Sequence, residues 1–375
     1  MKNLLMLLIS SMVFWSCESS ESKESKSAYY DFELEIDTVQ VDPGKEILMA
    51  GAYTNNSAVS TDKTKFYNWD RNNYALEVID IEKYRLKDKI YFEKDGPKGL
   101  QSDYLFSTKS LPNNRFGFED NSSFKIHDVQ GNLFKKVVFE EEWIKNGLQE
   151  LESFELVNVN DEGTALAGIH FGFDQYKAMM FILDIEEQKK KSIPLPKFQR
   201  LENYKIVLHR NETYLTSVNP KIFIDFLGDS MLISNNHFNG TYIYKSDQLT
   251  HKSFEHRLIP EGKEKIYKKR SESREEVVQT VFDMNEEVSF TRFLFDEKKN
   301  KFYRFSNQAK YAEGSDEPTW EVSMMVYDQE LDLIGEKEIM TFDNYAEPLF
   351  VKDSKVHFHL NMEDELGFIR IGLKK

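Results

Sequence analysis

The chain has 375 residues, 51 of them aromatic, and a formal net charge of −15. A chain this long buries about three quarters of its unfolded surface, and its aromatic content excludes a disordered or collagen-like polymer. A single cysteine excludes a disulfide framework and a thiolate-rich metal centre, and the acidic balance excludes nucleic acid, whose phosphates need a basic face.

The chain opens Met1-Lys2-Asn3 and continues from Leu4 to Trp15 with only two serines interrupting apolar residues. This stretch is shorter than the roughly 20 residues that span a bilayer, and it reads as a secretory signal over residues 1–16. It ends at Ser16-Cys17, and Cys17 is the lone cysteine. The segment Val13-Phe14-Trp15-Ser16-Cys17 resembles a bacterial lipobox, with Phe14 where leucine is usual. That resemblance implies lipidation of Cys17 and a membrane partner reached through the anchor. Residues 18–27 are Ser, Glu and Lys only, so residues 17–28 read as a lipidated flexible tether. Acidic residues directly after the cysteine resemble the export signal of surface lipoproteins in Bacteroidetes-type bacteria. The expected location is therefore the outer membrane, with the surface leaflet open. No later segment reads as a membrane span.

From residue 29 to 375 a period of two dominates. Phe32, Leu34 and Ile36 alternate with polar residues, as do Val356, Phe358 and Leu360. Alternation of this kind makes half-buried strands, and short strands at regular spacing make a sandwich, barrel or propeller. A repeat favours the propeller. An apolar–Asp strand end followed by a turn and another strand occurs at Val78-Ile79-Asp80, Ile126-His127-Asp128, Ile182-Leu183-Asp184 and Val326-Tyr327-Asp328. A weaker copy ends at Lys245, and a sixth ends the chain at Ile369-Arg370-Ile371 with no fourth strand after it. The strand at residues 31–41 has no unit of its own, and closing a ring removes exposed strand edges. The reading is an all-β, six-bladed β-propeller closed by the N-terminal strand, with seven blades if residues 196–290 hide another. Residues 140–151 and 260–287 read as short helical insertions, the second as one or two helices.

The apolar–Asp strand ends, Asp95-Gly96-Pro97 and the pair Phe293–Asp296 and Lys301–Phe305 resemble an uncharacterised family of propeller lipoproteins from Bacteroidetes-type bacteria, similar in turn to TolB-like six-bladed propellers. The resemblance spans nearly the whole chain. The family has no established activity, so no catalytic residue follows from it.

Several residues can carry chemistry. His170 and His237 lie in loop-rich aromatic surroundings, where propeller loops build ligand sites; the competing reading of His237 is the hairpin signalled by Asn239-Gly240. Arg292 and Arg304, inside aromatic strands, can bind an anionic group or else satisfy carbonyls and acids between blades. His357 and His359 share one strand face, with Glu363 and Asp364 following, and are read as a polar face without a metal. Asp80, Asp128, Asp184 and Asp328 are read as turn caps. Lys263, Lys265, Lys268, Lys269 and Arg270 form a basic cluster, read as a solvated face paired with Glu272, Glu275 and Glu276 rather than a contact for lipid or a partner. Asp37-Thr38-Val39 and Asp229-Ser230-Met231 match a three-residue O-glycosylation pattern weakly. No Walker loop, dinucleotide fingerprint, zincin motif or nucleophile elbow occurs.

The expected function is a cell-envelope lipoprotein that recognises a protein or glycan without catalysis and needs no cofactor. The alternative is a hydrolase or lyase with its site at the channel mouth, distinguished by a deep pocket with convergent acids. A third reading is a subunit of an envelope complex that uses residues 260–287 as its contact.

Overall fold

The computed structural model describes residues 31–50, 56–102, 105–150, 152–172, 175–313, 317–345 and 347–374. The signal, the tether and Cys17 lie outside these residues. The described chain is all-β, built mainly from antiparallel four-stranded sheets, with few helices.

Among the described residues six larger sheets follow in chain order, with a seventh of three strands between the third and fourth. The first joins Ser57–Val59, Lys65–Asp70, Ala75–Asp80 and Arg85–Tyr91; the second joins Ser107–Leu111, Arg115–Glu119, Ser123–Asp128 and Leu133–Val138. The third runs through Glu152–Val159, Ala165–Gly172, Met179–Asp184 and Lys189–Pro194, and the fourth through Ile222–Leu227, Ser230–Asn235, Thr241–Lys245 and Gln248–Lys252. In the fifth, the first strand is split into Ser289–Phe290 and Leu294–Asp296, both paired with Lys301–Tyr311, before Pro318–Tyr327 and Leu333–Phe342. The sixth holds Pro348–Lys352, Lys355–Met362 and Glu365–Leu373, and its outer strand is Leu34–Gln40 from the other end of the chain. Leu34 lies opposite Leu373 and Gln40 opposite Gly367.

Local chemistry explains the meander. Within these sheets consecutive strands pair antiparallel, and several hairpins are two residues long. Asp353-Ser354, Ser246-Asp247 and Glu363-Asp364 all have positive φ at both positions, the conformation that matches strand twist in a tight hairpin. The apolar–Asp ends work as the sequence reading expects. Asp80, Asp128, Asp184 and Asp328 each accept two backbone N–H groups of the following turn, and Asp296 does the same for Lys298 and Lys299. Lys245, which breaks the pattern, also ends a strand at a two-residue hairpin, and there the cap is replaced by Tyr244 donating to Asp247.

The core is divided. Six hydrophobic clusters occur among the described residues, and each joins two of the larger sheets, one of them also taking in Ile206 of the three-stranded sheet. Tyr67 and Trp69 of the first sheet pack with Phe116 and Phe118 of the second. Phe124 of the second sheet packs with Leu183 of the third, Met180 of the third with Ile224 of the fourth, and Leu232 of the fourth with Tyr327 of the fifth. Phe305 of the fifth sheet packs with Phe358 of the sixth, and Phe368 of the sixth with Phe66 of the first. Edge-to-face ring pairs recur at these seams, with centroids 4.8 Å apart for Tyr67–Phe116, 4.9 Å for Phe305–Phe358 and 5.2 Å for Phe66–Phe368. Each such pair contributes about 0.5–1.5 kcal/mol beyond its buried area.

Residues 196–290 hold more than the fourth sheet. A 3₁₀ helix, Pro196–Tyr204, leads into a three-stranded sheet of Thr213–Val218, Ile206–Arg210 and Lys269–Ser271, whose last pair is parallel. Only one helix forms in the 260–287 insertion, Arg274–Asn285, with Ser273 accepting from the Glu276 N–H as its cap. The residues before it cannot join that helix, because Gly262 bridges Phe238 and Lys269–Ser271 is a strand. The 140–151 insertion keeps a single helical turn, Glu142–Lys145, with Ile144 buried.

Candidate functional site

A cavity of about 860 Å³ is walled by strands of five sheets and by Arg292 and Glu297, which flank the split first strand of the fifth. Its lining follows the first-strand segments at residues 57–59, 107–110, 153–159, 222–224 and 348–350, together with Arg292, which sits where the first strand of the fifth sheet is split. First strands of neighbouring sheets touch: Ser57–Val59 contacts Ser107–Leu111, Glu152–Val159 contacts Ile222–Leu227, and Leu294–Asp296 contacts Pro348–Lys352. The volume suits a small ligand, which such pockets hold with apolar surface and a few placed polar groups. Phe106 and Phe171 contribute rings, and Ser107, Ser110 and Asn158 contribute hydroxyl and amide groups.

The charges in this wall are mostly matched. Lys63 pairs with Glu297 at 2.9 Å, Lys109 with Asp161 at 3.1 Å and Lys221 with Glu347 at 2.8 Å. Arg292 holds Asp225 through Nε at 3.0 Å and also through Nη2. Asp120 pairs with the buried Lys125 at 3.0 Å. Two carboxyls are left over. Glu119 accepts 2.6 Å from the Ser107 hydroxyl and has no cationic partner among the described residues. The Glu155 carboxyl has no hydrogen bond or ion pair among them. Burial pushes Glu119 up to about 8, against the Ser107 hydrogen bond and helped by the charges of Glu155 and Asp120. Burial also raises Glu155, although its side chain meets water through the cavity. Sequence reasoning missed both residues. Glu119 ends an aromatic strand beside Asp120, and among 64 acids neither residue carries a local signal.

The residues singled out from sequence do not assemble into one site. Arg292 is in the cavity wall, and its side chain is 35 % exposed there. Arg304 is fully buried away from it, so it is not a channel anion site. Its Nε donates to the Thr291 carbonyl at 2.9 Å and its Nη2 to the Asn235 carbonyl at 2.7 Å, between the rings of Phe290 and Phe293. His170 is buried with Nε2 3.3 Å from Glu152, whose other oxygen holds Lys177. Burial keeps His170 below its ordinary range. His237 packs on Tyr204 with centroids 4.4 Å apart and contacts the Asn236 side-chain oxygen. Burial, then the Lys263 charge, holds it well below its ordinary value. Neither histidine lines the cavity. His357 contacts the Tyr84 hydroxyl at 2.9 Å and stacks on Phe350, while Glu363 and Asp364 are spent in their hairpin. No group of three metal-ligating side chains occurs among the described residues.

The basic cluster is corrected. Lys263 is 5 % exposed and is part of no solvated face. Its Nζ donates to the Met284 carbonyl at 2.6 Å, the Glu287 carbonyl at 3.1 Å and Ser289 Oγ at 2.9 Å, tying the loop to the end of the helix. Burial brings it down to about 7, opposed by Glu287. Lys269 does pair with Glu276 as expected, whereas Lys268 pairs with the distant Glu202. A second pocket, about 590 Å³, lies beside this loop and is lined by Lys197, Arg200, Phe238 and His251 among others.

No helix among the described residues is long and apolar enough to cross a membrane. Comparison with solved structures finds a member of the same fold group from Bacteroides vulgatus, assigned to the DUF4221 family. It is 14 % identical, with a TM-score of 0.64 over 92 % of this chain and 99 % of that one. A presumed exported protein of Bacteroides fragilis is 10 % identical, with a TM-score of 0.50 over 91 % of this chain and 96 % of that one. At these identities the likeness is one of fold alone. No curated protein matches the sequence. The family model for a domain of unknown function, DUF4221, matches residues 29–338, and the chain belongs to that family.

Proposed function

We propose that this member of the DUF4221 family is a six-bladed β-propeller of the cell envelope whose channel binds a small polar ligand, a glycan fragment or peptide, without turning it over. The ring reading is supported by the six shared hydrophobic clusters, the last of which joins the sixth sheet to the first. Closure by the N-terminal strand is supported by the pairing of Leu34–Gln40 with Glu365–Leu373. The anchor in this reading is lipid on Cys17, and the exported relative favours an envelope location. The observation that carries the binding function is the cavity of about 860 Å³ with aromatic rings, hydroxyls and unmatched carboxyls in one wall. Rings stack on the apolar faces of sugars or side chains while the polar groups fix orientation.

One observation favours the hydrolase or lyase alternative. Glu119 is a carboxyl held protonated near neutral pH beside a second raised carboxyl, the pattern of an acid–base pair. The two readings separate in one experiment. The mature chain is titrated calorimetrically with a panel of oligosaccharides and short peptides, and the mixtures are then chromatographed. Saturable heat with intact ligand is the expected result. Product formation abolished by Glu119→Gln would replace the binding reading with the enzymatic one.

A further inference from the structure

The second pocket, about 590 Å³, is built against one face of the 3₁₀ helix Pro196–Tyr204. Such a helix has about three residues per turn, so side chains three apart stack on one face. Phe198, Leu201 and Tyr204 form a first face and are buried in the core. Gln199 and Glu202 form a second. Gln199 accepts from the Ala178 N–H at 3.2 Å, and Glu202 pairs with Lys268. Lys197 and Arg200 form the third, and both line the pocket. Neither side chain has an acid or a carbonyl as partner among the described residues. The Lys197 backbone N–H donates to the Tyr242 hydroxyl at 2.7 Å, which fixes the start of the helix. The Arg200 guanidinium lies 4.0 Å from the centre of the Phe238 ring, a contact that positions it and leaves its N–H groups without an acceptor. His251 joins the same wall, backed by the Tyr242 ring with centroids 4.8 Å apart. A Cβ on Gly240 would lie 3.0 Å from His251 Nε2 and 2.9 Å from the Phe238 ring, so the glycine lets both rings close in. Burial, then the Lys197 charge, holds His251 below its ordinary range, and its ring is neutral at neutral pH. Lys263 also lines the pocket, but its Nζ is committed to the end of the helix Arg274–Asn285.

Two cations without counter-charge in one wall make a place for an oxyanion. The arginine fork matches the two oxygens of a carboxylate, and the lysine adds a point charge. Glu261 and Glu264 line the pocket from the loop, and they disfavour a doubly charged phosphate ester more than a singly charged carboxylate. We propose that this pocket binds a small ligand through a carboxylate held by Lys197 and Arg200, with the His251 ring as a further hydrogen-bonding group. The site goes beyond the channel reading and shares no lining residue with the channel cavity.

The test titrates the mature chain calorimetrically at neutral pH with two matched pairs, glucuronate with glucose and lactate with propylene glycol, and with glycerol phosphate. In at least one pair the carboxylate should bind about tenfold or more tighter than its neutral counterpart, the weight of a charge-assisted hydrogen bond. Lys197→Gln and Arg200→Gln should each weaken that carboxylate by about tenfold or more, with thermal unfolding unchanged. If Arg200→Gln loses stability with its place on Phe238, Lys197→Gln decides alone. Lys83→Gln removes the same charge from an exposed turn of the first sheet and should leave the affinity as it was. Equal affinity within both pairs, or no binding by either carboxylate, overturns the proposal. Tighter binding of glycerol phosphate than of both carboxylates overturns the carboxylate assignment, and equal weakening by Lys83→Gln overturns the site. None of these results bears on the channel, whose ligand is tested with a different panel and with Glu119→Gln.

Discussion

Replacing Glu119 by glutamine should change how stability depends on pH. In the folded chain its carboxyl titrates near 8, whereas an unconstrained glutamate titrates near 4.5. A raised folded value means that the folded state holds its proton over a window where the unfolded state has lost it. Glu119 therefore supports the fold fully below about pH 4.5, and that support drains away as pH rises to about 8. The slope is about 1.4 kcal/mol per pH unit across the window, which gives a total of about 5 kcal/mol as an upper figure. Ser107 donates to Oε2 at 2.6 Å, and a glutamine oxygen can accept the same bond, so the substitution removes ionisation while keeping the contact. Urea unfolding of wild type and Glu119→Gln should be followed from pH 5 to 8.5. The variant should gain stability relative to wild type steadily up to about pH 8 and hold the difference above it. Taking the difference cancels the other titrating groups. Parallel profiles, or a variant that is uniformly less stable, would refute the assignment of a neutral, buried Glu119.

Other expectations concern the frame around the cavity. Arg304→Met strands the Thr291 and Asn235 carbonyls in a fully buried seam and should cost about 2–5 kcal/mol in chemical denaturation. Asp328→Ala removes the acceptor for the Glu330 and Asp332 N–H groups at an exposed turn, so a loss of only about 1 kcal/mol is expected from the same measurement. Phe305→Ala opens the seam between the fifth and sixth sheets and should cost about 3–5 kcal/mol. Cys17→Ala should move the protein from the membrane pellet to the soluble fraction of cells, since each acyl CH₂ contributes about 0.8 kcal/mol of membrane affinity. Continued pelleting after that change would remove the lipid anchor from the proposal.

The Asp turn caps were legible because their cause is local: a carboxylate two residues from an N–H needs no distant partner. The N-terminal strand was legible for a related reason, since an alternating strand without a unit must find an edge, and Leu34–Gln40 does pair with the last strand. Residues whose partners lie far along the chain could not be placed from local pattern. Lys263 belongs to a run of lysines and looks solvated, yet its nitrogen is claimed by carbonyls 21 and 24 residues away. Arg304 has two readings, and the carbonyls of Asn235 and Thr291 around it bear out the one in which it satisfies carbonyls.

The sequence by itself determined the all-β character, the strand count per unit and the turn chemistry, because side-chain alternation and Asp caps act within a few residues. Tertiary structure alone decided which charges face the cavity and which of them are matched. Glu119 and Glu155 lie 36 positions apart, on different sheets, and each resembles dozens of other acids in the chain. Burial raises the proton affinity of both, and the charge of Glu155 adds to the rise at Glu119, so neither shift exists until the sheets pack together.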